Sequence, residues 1–136
     1  MLLAGLHRRD ALELRVSLMG DYKLSRNFRL SEMQSKDGSD LVLIHPGLLV
    51  LLQKTRDKFG PIRINSGYRS PLHNSLVGGS ENSFHIYGMA CDIVPLDADL
   101  SFSRVRSFVR ENGGGAAVIY DSFIHVDVGP RRDWKP

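Results

Sequence analysis

The stretch Ser80 to Val94, SENSFHIYGMACDIV, sets His85 and Asp92 seven residues apart with Gly88 between them, and a further histidine, His125, follows in FIHVDVG. Ligands that share a helix face are three or four residues apart, and ligands that share a strand face have an even offset, so a spacing of seven demands a reversal of the chain. Gly88 can supply it, because glycine accepts the positive φ that such reversals need. If the apolar run MACDIV beyond it is a strand, Asp92 points to one face and Cys91 to the other. We read His85, Asp92 and His125 as three ligands of one metal ion. Two imidazoles and one carboxylate suit zinc, with a fourth position left for water, as in catalytic rather than structural sites. The bare spacing H-x6-D arises in many chains, and its flanks are what sharpen it.

Three segments taken in order, IRINSGYRSPLHN, VGGSENSFHIYGMACDIV and IYDSFIHVDVGPRRDW, resemble the successive motifs of the zinc D-Ala-D-Ala carboxypeptidases and murein peptidases, the M15 peptidases. The resemblance covers about Asn27 to Trp134, most of the chain. It implies that His85, Asp92 and His125 bind zinc, that Arg69 of SGYRS contacts the substrate or transition state, and that Ser83 hydrogen-bonds the peptide. It also implies a hedgehog/DD-peptidase-like fold. Many members carry an acid three residues before the last histidine, as E-x-x-H, and here that position is Ser122. A branch that includes phage lysins and some murein endopeptidases has F-[VI]-H-[VI]-D without the glutamate, and this chain is similar to it.

Chemistry on the residues themselves supports that reading. Zinc brings the pKa of a bound water from 15.7 toward about 7 and polarises a carbonyl. A nearby carboxylate would then accept the water proton and pass it to the leaving amine. Asp121 and Asp127 are the local carboxylates, and both stand as candidates. In a strand, Asp127 projects to the same side as His125, where it would orient the imidazole or take a proton. Arg69 can grip a substrate carboxylate through two parallel hydrogen bonds. His7, His45 and His73 have no comparable neighbours and receive no role, while Tyr120 and Trp134 are expected to finish a core or rim.

At 136 residues the chain is expected to form one domain, 1–136, and to bury about two thirds of its unfolded surface. A composition of 42% hydrophobic and 24% charged residues argues against disorder. The net charge of +3 is scattered along the sequence, and no helix-turn-helix, zinc-finger or aromatic-basic pattern supports nucleic-acid binding. A single cysteine excludes an internal disulfide, and Cys91 is expected to be a buried apolar residue. No apolar run reaches the length of about 18 residues that spans a bilayer. The N-terminal residues do not have the order of a signal peptide, so reaching the cell wall is expected to depend on a holin, a virion or lysis.

Along the chain, Leu12, Leu14, Val16 and Leu18 alternate with polar residues and predict a strand ending at Gly20. Ser31 is expected to cap a short helix. Pro46 to Phe59 predicts the main helix, with Leu48, Leu51, Leu52, Thr55 and Phe59 as its inner stripe. IRINSGY predicts a strand, and residues 70–84 a loop with at most one helical turn near Leu72 to Leu76. A helix capped by Ser101 follows, with Phe102, Val105, Phe108 and Val109 inward. AAVIY and FIHVDVG then form a hairpin across Asp121-Ser122. The expected fold is α+β, a small and mainly antiparallel sheet with helices on one face and the metal site on the other, under residues 70–84. The leading expectation is a zinc peptidase acting on peptidoglycan. The alternative, suggested by Ser122, is a catalytically silent zinc-containing wall-binding or virion module.

Overall fold

The computed structural model describes residues 10–133; His7 and Trp134 therefore lie outside the described residues. In chain order the strands are β1 (Leu12–Arg15), β2 (Lys23–Ser25), β3 (Phe28–Arg29), β4 (Leu41–Ile44), β5 (Ile62–Ser66), β6 (Ala90–Pro95), β7 (Ala116–Ile119) and β8 (Ile124–Asp127). The helices are α1 (Val16–Met19), α2 (Leu30–Met33), α3 (Pro46–Phe59), α4 (Pro71–Leu76) and α5 (Phe102–Glu111). The main sheet has the order β5-β6-β8-β7 and is antiparallel throughout, while β1 pairs with β4 and β2 with β3 in two small ribbons. This is the expected α+β architecture.

Local chemistry explains the elements that flank the sheet. Pro46 starts α3 where a missing N–H costs nothing, and the His45 ring caps it by accepting from Gly47 N at 3.0 Å. Leu48, Leu51, Leu52 and Thr55 are buried along one stripe, and Phe59 meets Phe108 of α5 edge to face with centroids 5.3 Å apart. Ser101 caps α5 by accepting from Arg104 N at 3.2 Å, and Val105 and Val109 are fully buried beneath it. Together with Cys91, Ile93, Ile124 and Val126 these residues form one apolar core on the helix side of the sheet. The Cys91 sulfur lies 3.8 Å from that of Met33, on the face opposite Asp92.

Two local expectations are corrected. The predicted strand through Leu18 stops at Arg15 and turns into α1. Asp40 captures this turn, its carboxylate accepting from Ser17 N at 2.6 Å and Ser17 Oγ at 2.8 Å, and Leu18 is left exposed. Ser31 does not cap α2. It sits inside the helix, its N–H donates to Asp21 at 3.1 Å, and Glu32 reaches back to Arg29 N at 2.8 Å.

Candidate metal centre

The reversal expected at Gly88 is present. Ser83 Oγ accepts from His85 N at 3.2 Å and caps a 3-10 turn, Phe84–Tyr87, which ends at Gly88 with φ 68° and ψ 21°. That left-handed conformation favours glycine, and a Cβ there would also lie 2.4 Å from the Leu43 backbone. The Gly88 carbonyl accepts from His45 N at 2.8 Å, which anchors the turn to the end of β4. The chain then enters β6, where Asp92 is registered opposite His125 of β8.

His85, Asp92 and His125 come together, each offering one donor atom within 4.8 Å of the others, and all three side chains are buried. The hydrogen bonds behind them fix which nitrogen faces inward. His85 Nδ1 lies 2.8 Å from the Gly67 carbonyl, which can only accept, so Nδ1 carries the proton and Nε2 points to Asp92 Oδ1 at 3.3 Å. His125 Nε2 lies 2.7 Å from Asp127 Oδ2 and donates to it, leaving Nδ1 directed at the same Asp92 Oδ1 from 3.2 Å. Two acceptor nitrogens and a carboxylate oxygen in such proximity repel unless a positive charge joins them. Their softness and number suit a zinc ion with an open fourth position.

The same contacts set the charges around the cluster. Burial alone would raise the Asp92 pKa, but His125 and His85 beside it hold its carboxyl well below the usual carboxylate range. For His125, burial works against the charged ring, and the carboxylates of Asp127 and Asp92 outweigh it, so its pKa is raised. Asp127 has no exposed surface, and there too the His125 and Arg132 bonds overcome burial and lower the pKa.

A cavity of about 390 Å³ opens over the cluster, lined among others by Arg69, Ser83, Tyr120, Phe123 and Arg132 as well as by the three metal-ligand candidates. Arg69 reaches Asp92 Oδ2 at 3.3 Å, Ser66 Oγ at 3.2 Å and Asn74 Oδ1 at 3.3 Å, which commits three of its five N–H donors and directs the guanidinium along one wall. Tyr120 and Phe123 stack across the tip of the β7-β8 hairpin with centroids 4.7 Å apart, and both line the cavity. The two candidate bases are placed differently. Asp127 lies behind His125, and its oxygens also accept from Arg132 at 2.7 and 3.0 Å and from Gly129 N at 3.1 Å. Asp121 is exposed at the hairpin tip, and Asp92 is the carboxylate that lines the cavity.

Three contributors escaped the sequence reading. Asn74 supports Arg69 while donating to the Ser80 carbonyl at 2.8 Å. Arg132 clamps Asp127, and Phe84 packs under the Arg132 guanidinium at 4.7 Å. Only PRRDW hinted at Arg132, through its place just beyond FIHVDVG. His45 and His73 lie outside the cluster, as caps or neighbours of helix ends.

Comparison with known proteins points the same way. The probable peptidoglycan L,D-endopeptidase MepK of Haemophilus influenzae is 28% identical over 134 residues, covering 87% of this chain and 72% of its own length. The peptidoglycan L,D-endopeptidase MepK of Escherichia coli K12 is 29% identical over 117 residues, 80% of this chain and 60% of the relative. The zinc D-Ala-D-Ala carboxypeptidase of Streptomyces albus G is 50% identical over 91 residues, 62% of this chain and 35% of the relative. The chain thus spans only part of each relative. The family model described as Peptidase M15 matches residues 23–127, a span that contains the His85, Asp92 and His125 cluster together with Arg69, and the chain belongs to the M15 peptidase family.

Proposed function

We propose that the chain is a zinc-dependent peptidase that hydrolyses peptide bonds of bacterial peptidoglycan, as an endopeptidase or a carboxypeptidase, and that residues 1–136 form one catalytic domain acting at the cell wall. The observation that carries this reading is the convergence of His85 Nε2, His125 Nδ1 and Asp92 Oδ1 at the floor of an open cavity, each histidine held by a hydrogen bond on its far nitrogen. The M15 relatives named for peptidoglycan endopeptidase and zinc carboxypeptidase activity support the substrate class.

In this reading His85, Asp92 and His125 hold the ion. Zinc bound there would supply a nucleophilic water at neutral pH and polarise the scissile carbonyl. Arg69 binds a carboxylate or developing negative charge of the peptide, and Ser83 at the cavity edge binds its backbone. Asp127 is already bonded to His125, Arg132 and Gly129, which favours orienting His125 over exchanging protons with the substrate. Asp121 is exposed at the tip of the hairpin whose flanking Tyr120 and Phe123 wall the cavity, and it and Asp127 are the two candidates for the general base.

Metal analysis together with mass analysis of peptides released from purified sacculi tests the proposal. The expected result is one zinc per chain and peptide release that stops on chelation and in His85→Ala. Digestion that persists in the metal-free His85→Ala chain would refute it. A second reading, a zinc-containing wall-binding or virion module without turnover, is favoured by Ser122 at the position where many relatives carry the acid. Stoichiometric zinc without released peptides would select it.

A further inference from the structure

Arg132 lies beyond residue 127, where the family match ends, yet its side chain lines the cavity over the metal centre and bonds Asp127 behind His125. Its two terminal nitrogens donate to both oxygens of Asp127, Nη1 to Oδ1 at 3.0 Å and Nη2 to Oδ2 at 2.7 Å, the parallel fork that only a guanidinium makes. The same Oδ2 accepts from His125 Nε2 at 2.7 Å. Arg132 also lies over the Phe84 ring, 4.7 Å from its centroid, and Phe84 immediately precedes His85. One side chain therefore touches the supports of both histidine-bearing segments.

The backbone around it is built to keep that contact. Arg132 N donates to the Gly115 carbonyl at 2.8 Å, and Gly115 N in turn donates to the Asp127 carbonyl at 2.8 Å. A Cβ on Gly129 would lie 2.7 Å from Phe84 Cζ and 3.1 Å from Arg132 Nη1, so the absent side chain makes room for the stack. The neighbours add further ties, Arg131 to the Arg110 carbonyl at 3.0 Å and Asp133 in an ion pair with Arg110. A carboxylate with no exposed surface needs an opposite charge, and Arg132 provides it from outside the sheet.

We propose that Arg132 is a positioning residue for the metal centre: by clamping Asp127 it fixes the His125 ring with Nδ1 turned into the cluster, and through Phe84 it steadies the turn that carries His85. The inference rests on the zinc reading given above. Partners behind a metal-bound histidine fix its tautomer and orientation, and losing one weakens metal binding or activity by about 10–100-fold.

The test uses the full chain and the variants Arg132→Gln, Arg132→Lys, Asp127→Asn and the Arg132→Gln/Asp127→Asn pair. Zinc affinity is read by chelator competition, folding by circular dichroism, and kcat and KM on a cross-linked muropeptide with zinc at saturation. Arg132→Gln should weaken zinc binding about 10–100-fold. Arg132→Lys, which keeps charge but loses the fork, should fall between. In the Asp127→Asn background the Arg132→Gln change should add less than about twofold, because the two residues act as one unit. Unchanged zinc affinity in Arg132→Gln, or full additivity in the pair, would overturn the proposal. So would a raised KM with unchanged zinc affinity, which would make Arg132 a substrate contact.

Should Arg132→Gln fail to fold, the Lys variant and the pair carry the test. If the wild-type chain takes up no zinc, the metal reading itself fails. Arg132 is then judged on the metal-free chain by proton NMR of His125: a slowly exchanging Nε2–H in the wild type that is lost in Arg132→Lys supports the clamp, and one that persists unchanged overturns it.

Discussion

The strands β6 and β8 have two faces that are equally hidden from water and chemically opposite. Toward the helices, Cys91, Ile93, Ile124 and Val126 are each 0% exposed and belong to the apolar core. One residue along, Asp92, His125 and Asp127 are 7%, 6% and 0% exposed and carry ionisable groups. Both faces follow from the alternation of side chains along a strand. The difference lies in how each is stabilised: the first by removing hydrocarbon from water, the second by giving every buried polar atom a directed partner. Gly67, Arg69, Asp127 and Arg132 provide those partners, and each comes from outside the β6 to β8 register of Asp92 and His125 or from its very end. Burial alone does not distinguish a core from a site here; the source of the partners does.

The largest expected effect separates the faces outright. Asp92→Ala removes the carboxylate that His85, His125 and Arg69 share, and zinc uptake and peptide release should both vanish, as read by metal analysis and sacculus digestion. Its neighbour Ile93→Ala should do the reverse. It should cost about 2–5 kcal/mol in denaturant unfolding, with zinc bound per folded chain unchanged. A loss of zinc in Ile93→Ala at full folding would erase the distinction.

The carboxylates sharpen it further. Asp121→Asn should slow turnover by at least about 100-fold if Asp121 is the base, whereas Asp127→Asn should act mainly through zinc affinity, by about 10–100-fold. Undiminished kcat in both at saturating zinc would remove each from proton transfer.

The smallest effect concerns the loop over the cavity. Asp37 accepts from Ser70 Oγ at 2.6 Å and Ser39 Oγ at 2.8 Å, and these bonds, Ser70 first, hold its carboxyl below the ordinary range. A depressed folded pKa means that the stabilisation is present above about pH 4, the unfolded value, and is lost as the pH falls below it through the folded pKa. Protection of the Ser70 to Leu76 amides from hydrogen exchange should therefore weaken in acid, and Asp37→Asn should flatten that dependence. An identical pH response in the variant would count against the anchor.

Much of this was legible in the residues because the signals are local. A spacing of seven with glycine inside it specified the reversal at Gly88, and Pro46, Ser101 and the Asp121-Ser122 connection marked helix starts and a hairpin. Ordered motifs brought Arg69, Ser83, His85, Asp92 and His125 to one cavity. What stayed hidden depends on groups distant in sequence. Asp40 diverts the strand expected through Leu18, and Asp21 with Glu32 takes over the capping expected of Ser31. Arg132 reveals its purpose only when β8 and the following turn bring it back over Asp127. Periodicity encodes which face a residue occupies, but not which remote side chain will meet it.

Cys91 gives the fold a built-in clock. Its thiol is wholly enclosed, burial pushes its pKa well up, and it is the only cysteine in the chain. Alkylating reagents attack the thiolate, so labelling must wait for the sheet to part. Because the adjacent residue is an expected metal ligand, cation loading should retard modification in proportion to its grip on the native form. The pace of thiol capture would thus register occupancy on the far side of the same strand, without any added dye or tag.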